Sequence, residues 1–107
     1  MLYVRSPGLR LPRFEVWPNM LLGGARGINF ETHPRFSRMY LLRSKDTAAI
    51  RALFGEELLA FLEHKPGTCV QGNGEQLVIY WRERIKPEEV EQFIQEGLEI
   101  VALLRDA

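Results

Sequence analysis

A single cysteine, Cys69, is the only thiol among the 107 residues, so the chain cannot form an internal disulfide. One thiol gives no zinc framework and is weakly typical of a reducing compartment. No apolar run approaches the roughly 18 residues that span a bilayer, and the first residues lack the long apolar core of a signal peptide. These absences predict a soluble, cytoplasmic chain and exclude a disulfide scaffold.

Little else in the composition is unusual. Apolar residues make up 46% of the chain and charged residues 26%, as in an ordinary folded domain rather than a disordered one. The length predicts a single domain over residues 1–107. It leaves room for one ordinary core but not for a deep enzyme cleft between two domains.

The net charge is zero, yet the two halves of the chain differ in sign. Residues 1–45 contain eight basic and two acidic side chains, whereas residues 46–107 contain six basic and twelve acidic ones. Either the halves lie side by side and neutralise each other, or they form a basic face and an acidic face. The first alternative is favoured, because exposed charges of small domains often interleave after folding.

Alternating apolar residues predict several strands. Met1–Arg5 alternates weakly, and Leu9–Trp17 is extended. Pro12 cannot donate to a ladder, so the second of these strands is expected at an edge or broken at that residue. Farther along, Gly72-Asn73-Gly74 separates two apolar runs and is the strongest hairpin signal in the chain.

Apolar residues at spacings of three and four predict two amphipathic helices. The first begins after Ser44 or Asp46, either of which can cap it, and Gly55 kinks it or splits it in two. The second begins at Pro87, which suits a first helical position, and Gly97 within it indicates a close contact. The predicted fold is α+β: an antiparallel or mixed sheet of about four to six strands with two helices on one face, in the order strand-strand-helix-hairpin-helix.

The stretch INFETHPRFSRMYLLRSKD, residues 28–46, is the densest in polar side chains. Ile28–Phe30 and Ser37–Arg43 are predicted as strands joined by a turn at His33-Pro34, because proline disfavours a helical residue before it. Glu31 is expected to pair with a nearby arginine, and a hydroxyl of the turn can satisfy local backbone groups. The candidate ligand or functional cluster consists of Glu31, His33, Arg35, Ser37 and Arg38.

The familiar chemical motifs do not occur. His33, His64, Cys69 and Glu31 lack the paired spacing that zinc requires, so no metal and no cofactor are predicted. A nucleophile elbow is missing, so no catalytic residue is assigned. The glycine-rich segment at residues 23–27 has neither dinucleotide nor P-loop spacing and is predicted to be a loop of unknown role. Basic and aromatic residues interleave between residues 35 and 45, but the near-neutral charge argues against a nucleic-acid partner.

Four segments of the chain resemble the C-terminal part of an uncharacterised bacterial membrane-associated family, a domain of unknown function. They are YVRSPGLRLPRFEVWP, INFETHPRFSRMYLLRS, AIRALF and GNGEQLVIYWRERIKPEEVEQFIQEGLEIV, and together they cover nearly the whole chain. The most specific piece is the Phe-x-x-His-Pro-x-Phe-Ser run that leads into Tyr-Leu-Leu-Arg. The resemblance implies a membrane-spanning segment upstream, with residues 1–8 as a remnant strand of that upstream region. It implies no activity.

These observations favour a non-catalytic interaction or regulatory domain, located in the cytoplasm at the inner face of the membrane. Trp17 and Trp81 are the candidate interface residues, because aromatic side chains are favoured at interfaces. The expected partner is another protein or a second copy of this chain, as a homodimer. One alternative is a basic face that binds anionic lipid or nucleic acid. Another is a small enzyme or ligand binder centred on His33.

Overall fold

The computed structural model describes residues 1–18, 27–81 and 86–106, and within them five strands form one antiparallel sheet. The order across the sheet is β1-β5-β4-β2-β3. The predicted α+β fold with four to six strands is therefore confirmed. The strands are β1 (Leu2–Arg5), β2 (Leu11–Pro18), β3 (Tyr40–Ser44), β4 (Thr68–Gly74) and β5 (Gln76–Trp81).

The same described ranges contain four α-helices, and the core side chains of all four pack with one face of the sheet. Gly55 splits the first predicted helix in two, since it caps the second piece in an extended conformation. A 3-10 turn over Pro87–Glu89 precedes the last helix, in agreement with the predicted start at Pro87. The helices are α1 (Pro34–Met39), α2 (Thr47–Leu53), α3 (Glu56–Glu63) and α4 (Val90–Arg105).

The expectation that β2 lies at an edge is wrong, because β2 pairs with β3 on one side and with β4 on the other. The irregularity expected at Pro12 is present, however. The register with β4 shifts between Leu11 and Phe14, and Pro12 lies within that shift. A local break in the ladder thus accommodates a residue without an N–H inside the sheet.

The two strands predicted around His33-Pro34 are also wrong in part. Residues 28–30 form no strand, although the Ile28 N–H donates to the Leu42 carbonyl at 2.8 Å. Pro34 starts helix α1 at its first position, and His33 before it has a non-helical backbone. Proline restricts the residue that precedes it, but it is itself well suited to begin a helix.

The predicted hairpin is present, with its turn one residue further along than the Asn-Gly signal indicated. Asn73 pairs with Gln76, so Gly74 and Glu75 form the two-residue turn. Gly74 has a positive φ of 64°, and in the described ranges positive φ occurs only at glycines. A glycine at the first turn position is typical of the type II′ hairpin.

Two further expectations concern the sheet's first strand and its cover. β1 pairs with β5, so residues 2–5 are part of the sheet. A side chain added at Gly97 would contact Leu2, which confirms the close contact expected there.

Apart from Gly27, the glycine-rich loop lies outside the described residues. Among the described helices, none combines the length and apolarity needed to cross a bilayer.

Candidate functional site

The predicted cluster around His33 does not converge on one point. Ser37 Oγ accepts the Phe30 N–H at 3.0 Å and lies 3.4 Å from the carbonyl oxygens of Phe30 and His33. Its hydroxyl therefore closes the turn before α1 and contacts the backbone of His33, not its imidazole. The imidazole instead lies beside its neighbour, with Thr32 Oγ1 and His33 Nδ1 2.9 Å apart.

The charged members of the cluster point into solvent. Glu31, Arg35 and Arg38 are exposed, and none of the ion pairs found among the described residues includes them. The expected pairing of Glu31 with a nearby arginine is therefore not observed. The α1 N-terminus is instead contacted by a residue distant in sequence, since the Phe36 N–H donates to Glu63 Oε2 at 3.1 Å.

A concave pocket of about 440 Å³ does lie beside His33. Its wall includes Arg51, whose guanidinium carbon is 5.6 Å from the centre of the Phe30 ring. Cations over aromatic faces are stabilised in this arrangement. The pocket thus combines aromatic and charged side chains, and its lining residues are Phe30, Thr32, His33, Arg51, Phe54, Glu56 and Leu59.

The second candidate interface lies on the other side of the sheet. Side chains alternate across each strand, and one set faces the helices while the other set is covered by no described helix. In that second set only Cys69 is buried, and the remaining members are exposed or half-buried. We call this surface the open sheet face; its principal members are Tyr3, Arg5, Arg13, Glu15, Trp17, Leu41, Arg43, Gln71, Val78 and Tyr80.

Trp17 and Tyr80 form the aromatic centre of the open sheet face. Their rings meet edge to face with centroids 5.7 Å apart, above the buried Cys69 of β4. The indole N–H of Trp17 donates to Glu15 Oε2 at 3.2 Å. Burial is the main cause that raises the pKa of Tyr80 above its usual 10.0, and the proximity of Cys69 and Glu15 raises it further. The phenol is protonated at neutral pH, as an ordinary tyrosine is, and can donate a hydrogen bond to a ligand.

Arginines lie on the same face as this aromatic centre. Arg5, Arg13 and Arg43 are exposed on the open sheet face, against Glu15 as its half-buried acidic member. Arg13 and Glu15 border two grooves, one of about 600 Å³ towards β3 and one of about 330 Å³ towards β4 and β5. The larger groove is also lined by Arg43 and Lys45.

Glutamates are concentrated in two of the helices. Helix α3 contains three glutamates and no basic residue, and α4 contains three glutamates and one arginine. Helices α1 and α2, on the same side of the sheet, contain three arginines and no acidic residue. The helical side is therefore acidic at α3 and α4 and basic at α1 and α2.

Trp81 lies on the core side of β5, opposite the open sheet face. Its ring contacts Phe93 of α4 edge to face, with centroids 5.0 Å apart. This contact joins α4 to the sheet. The two tryptophans therefore belong to different surfaces.

Sequence reasoning missed the arginines and Tyr80 as members of one surface. The period-two pattern already separates Val78 and Tyr80 from the core residues of β5, but it does not reveal which strands are neighbours. In the described ranges no group of three His, Cys, Asp or Glu side chains could hold a metal ion. Comparison with protein-family models, with curated proteins and with solved structures finds no match.

Proposed function

We propose that this domain is a non-catalytic interaction domain whose open sheet face binds an acidic segment of a partner protein. The observation that supports the proposal is the combination of Trp17 and Tyr80 with Arg13 and Arg43 on a surface that no described helix covers. Tryptophan, tyrosine and arginine are the residue types that dominate binding energy at protein interfaces. We infer a cytoplasmic location at the inner face of the membrane, in line with the resemblance to a membrane-associated family.

The sign of the charge favours an acidic partner. Three arginines stand on the open sheet face against one glutamate, while the opposite layer is rich in glutamate. A complementary potential guides association and favours binding through this face rather than through the helices. The two grooves that border Arg13 give an extended segment room on both sides of β2.

The test is binding of a fluorescein-labelled peptide of alternating glutamate and leucine, followed by fluorescence anisotropy. We expect binding that weakens as salt rises, because exposed charges are screened. Reversing Arg13 and Arg43 with Arg13→Glu and Arg43→Glu should weaken it by at least about tenfold, or about 1.4 kcal/mol.

The matched control is the double variant Arg35→Glu with Arg38→Glu, which makes the same charge change on exposed α1 residues away from the open sheet face. Its affinity should stay close to that of the wild type. Equal losses for both variants, or no binding by the wild type, would contradict the proposal. A labelled single-stranded oligonucleotide and anionic vesicles complete the test, and binding of either one in place of the peptide would favour the alternative basic-face function.

A second candidate function is the binding of a small ligand in the pocket beside His33, which we propose on the basis of its volume and its aromatic wall. A ligand that binds the folded state raises the melting temperature by mass action. A thermal-shift screen should then give a hit for the wild type that His33→Ala loses and Arg38→Ala, on the exposed side of α1, keeps. A hit retained by His33→Ala would exclude this site.

A further inference from the structure

Among the described strands, none pairs with the outer edge of β1. The Ser6 N–H donates to the Glu75 carbonyl at 2.9 Å, which continues the β1–β5 ladder. Antiparallel ladders alternate, so Leu2 and Val4 direct their backbone groups towards β5 and Tyr3 and Arg5 direct theirs outward. Among the described residues, no backbone hydrogen bond reaches the outward groups.

The opposite edge of the sheet, β3, is partly closed. The Ile28 N–H donates to the Leu42 carbonyl, and a side chain added at Gly27 would lie 2.5 Å from that same oxygen. Residues 27 and 28 thus cover the middle of β3. Sheet edges are templates for pairing with another chain unless they are covered, and β1 is the edge that keeps this capacity.

An exposed apolar stripe lies beside this open edge. Helix α4 lies over β1 and β5, because Gly97 faces both Leu2 and Ile79. One flank of α4 turns towards α3. On that flank Glu96 pairs at 2.9 Å with Lys65, which lies just after α3. The other flank turns outward, past β1, and carries Val90, Ile94 and Leu98 with exposed fractions of 43%, 41% and 53%.

We propose that a second copy of this chain docks on this side through an antiparallel β1–β1 pair and an antiparallel α4–α4 pair about one two-fold axis. Pairing outward groups with outward groups allows Tyr3 to lie opposite Tyr3 of the second copy, and we propose this register because it also brings the two α4 stripes together. Gly97 of α4 packs on Leu2 of β1, so Leu98 lies at the level of Tyr3 along the strand. The axis that pairs the two Tyr3 residues therefore also brings the two Leu98 residues together. The contact is isologous, as in most dimers.

The charges on α4 fit this axis. Glu91 and Arg105 each lie seven residues from Leu98, on the same flank of the helix. In an antiparallel pair centred on Leu98, Glu91 of each copy faces Arg105 of the other. Both side chains are exposed, and Arg105 has only a 3.7 Å contact with its neighbour Asp106.

The spacing between the helices also fits. Neighbouring strands lie about 4.8 Å apart, and α4 lies over both β1 and β5. Joining two sheets at β1 therefore separates the two α4 axes by about two strand spacings, or roughly 10 Å. Packed helices lie about 8–10 Å apart. The strand pair and the helix pair can thus form together.

The experiment is multi-angle light scattering of the whole chain over a range of concentrations. The wild type should have twice the chain mass at high concentration, and Leu98→Glu should have the monomer mass, because it places two carboxylates against each other. Gln95→Glu, an exposed position on the same helix but off the stripe, should remain a dimer. A monomeric wild type, or a dimer that survives Leu98→Glu, would overturn the proposal.

Charge exchange gives the sharper result. Glu91→Arg or Arg105→Glu alone should weaken the dimer at least about tenfold by bringing like charges together, and the double exchange should restore it. The two residues lie about 21 Å apart within one helix, so rescue can only arise between copies. Absence of rescue would overturn the proposed register. The residues assigned to peptide binding, Trp17, Tyr80, Arg13 and Arg43, lie on strands other than β1, so peptide binding by Leu98→Glu should be unchanged, which separates this test from that of the proposed function.

Discussion

Ser37 illustrates at the scale of a residue how a polar side chain holds a turn closed. Its hydroxyl accepts the Phe30 N–H at 3.0 Å, and Phe30 is a core residue. Ser37→Ala leaves that N–H without an acceptor, and we expect the free energy of unfolding to fall by about 1–2 kcal/mol. Urea denaturation measures it. Arg38→Ala, exposed on the same helix, should change it by less than about 0.5 kcal/mol, and equal effects would refute this role of Ser37.

Tyr40 makes stability depend on pH in the alkaline range. Its ring is only 3% exposed, and its hydroxyl donates to the Lys65 carbonyl at 2.5 Å. Burial is the main cause that raises the pKa of Tyr40 above 10.0. Above pH 10 the unfolded chain then loses this proton before the folded chain does. The stability that Tyr40 contributes is therefore fully present below that pH and is lost as pH rises further.

Tyr40→Phe removes this titration, and its free energy of unfolding should fall less steeply between about pH 10 and 11 than that of the wild type. Denaturation at a series of pH values checks it. Comparison of the two slopes cancels the contribution of lysines, which both proteins share. Parallel slopes would show that Tyr40 contributes nothing to the alkaline decline.

The residue scale also shows what sequence alone could predict. A hydroxyl that satisfies local backbone groups near His33 was predicted, because serine commonly does so at turns. The partner of Phe36 was not, since Glu63 is distant in sequence and only the fold brings its carboxylate to the start of α1. A hydrogen bond between neighbouring residues can be predicted from the local sequence, and one between residues distant in sequence cannot.

Among the elements, α1 is the one that the sequence pattern misassigned. The apolar run around Met39 predicts a strand that begins at Ser37, whereas the segment from Pro34 to Met39 is a helix. Tertiary packing decides this case: Phe36 is fully buried and stacks on Tyr40 with centroids 5.3 Å apart. A short polar segment held by one buried aromatic ring has no periodicity that could have revealed it.

Gly72 of β4 gives the element-scale prediction. A methyl group there would lie 2.5 Å from Phe14 and 3.0 Å from Leu11, both of them buried. Gly72→Ala should therefore lower the free energy of unfolding by about 2 kcal/mol through overpacking of the sheet core. Calorimetry or urea denaturation measures the change.

Gly55→Ala is the matched control, because nothing lies within 4 Å of the added methyl group. It caps α3 with a negative φ of −75° that alanine can adopt. Because alanine is a poorer N-cap than glycine, this variant should lose up to about 1 kcal/mol, less than Gly72→Ala. A stable Gly72→Ala would mean that Phe14 can move aside, contrary to the packing described here.

Across the whole molecule, strand neighbours are the feature that local patterns could not predict. The alternation within β2 and β5 separates the two faces, but Trp17 and Tyr80 come together only because β4 lies between their strands. Three of the five strands come from the basic first half, and the acidic α3 and α4 come from the second. The fold therefore places the basic strands of the first half next to the acidic helices of the second.

The two tryptophans allow the two layers to be observed separately. Trp81→Phe leaves Trp17 as the reporter of the open sheet face, and Trp17→Phe leaves Trp81, packed on Phe93, as the reporter of the core. Urea should shift the emission of both variants, because unfolding exposes both rings. The glutamate–leucine peptide should change the emission only of the variant that keeps Trp17. A change in the variant that keeps Trp81 would place the peptide against the helices, where the glutamates of α3 and α4 disfavour it.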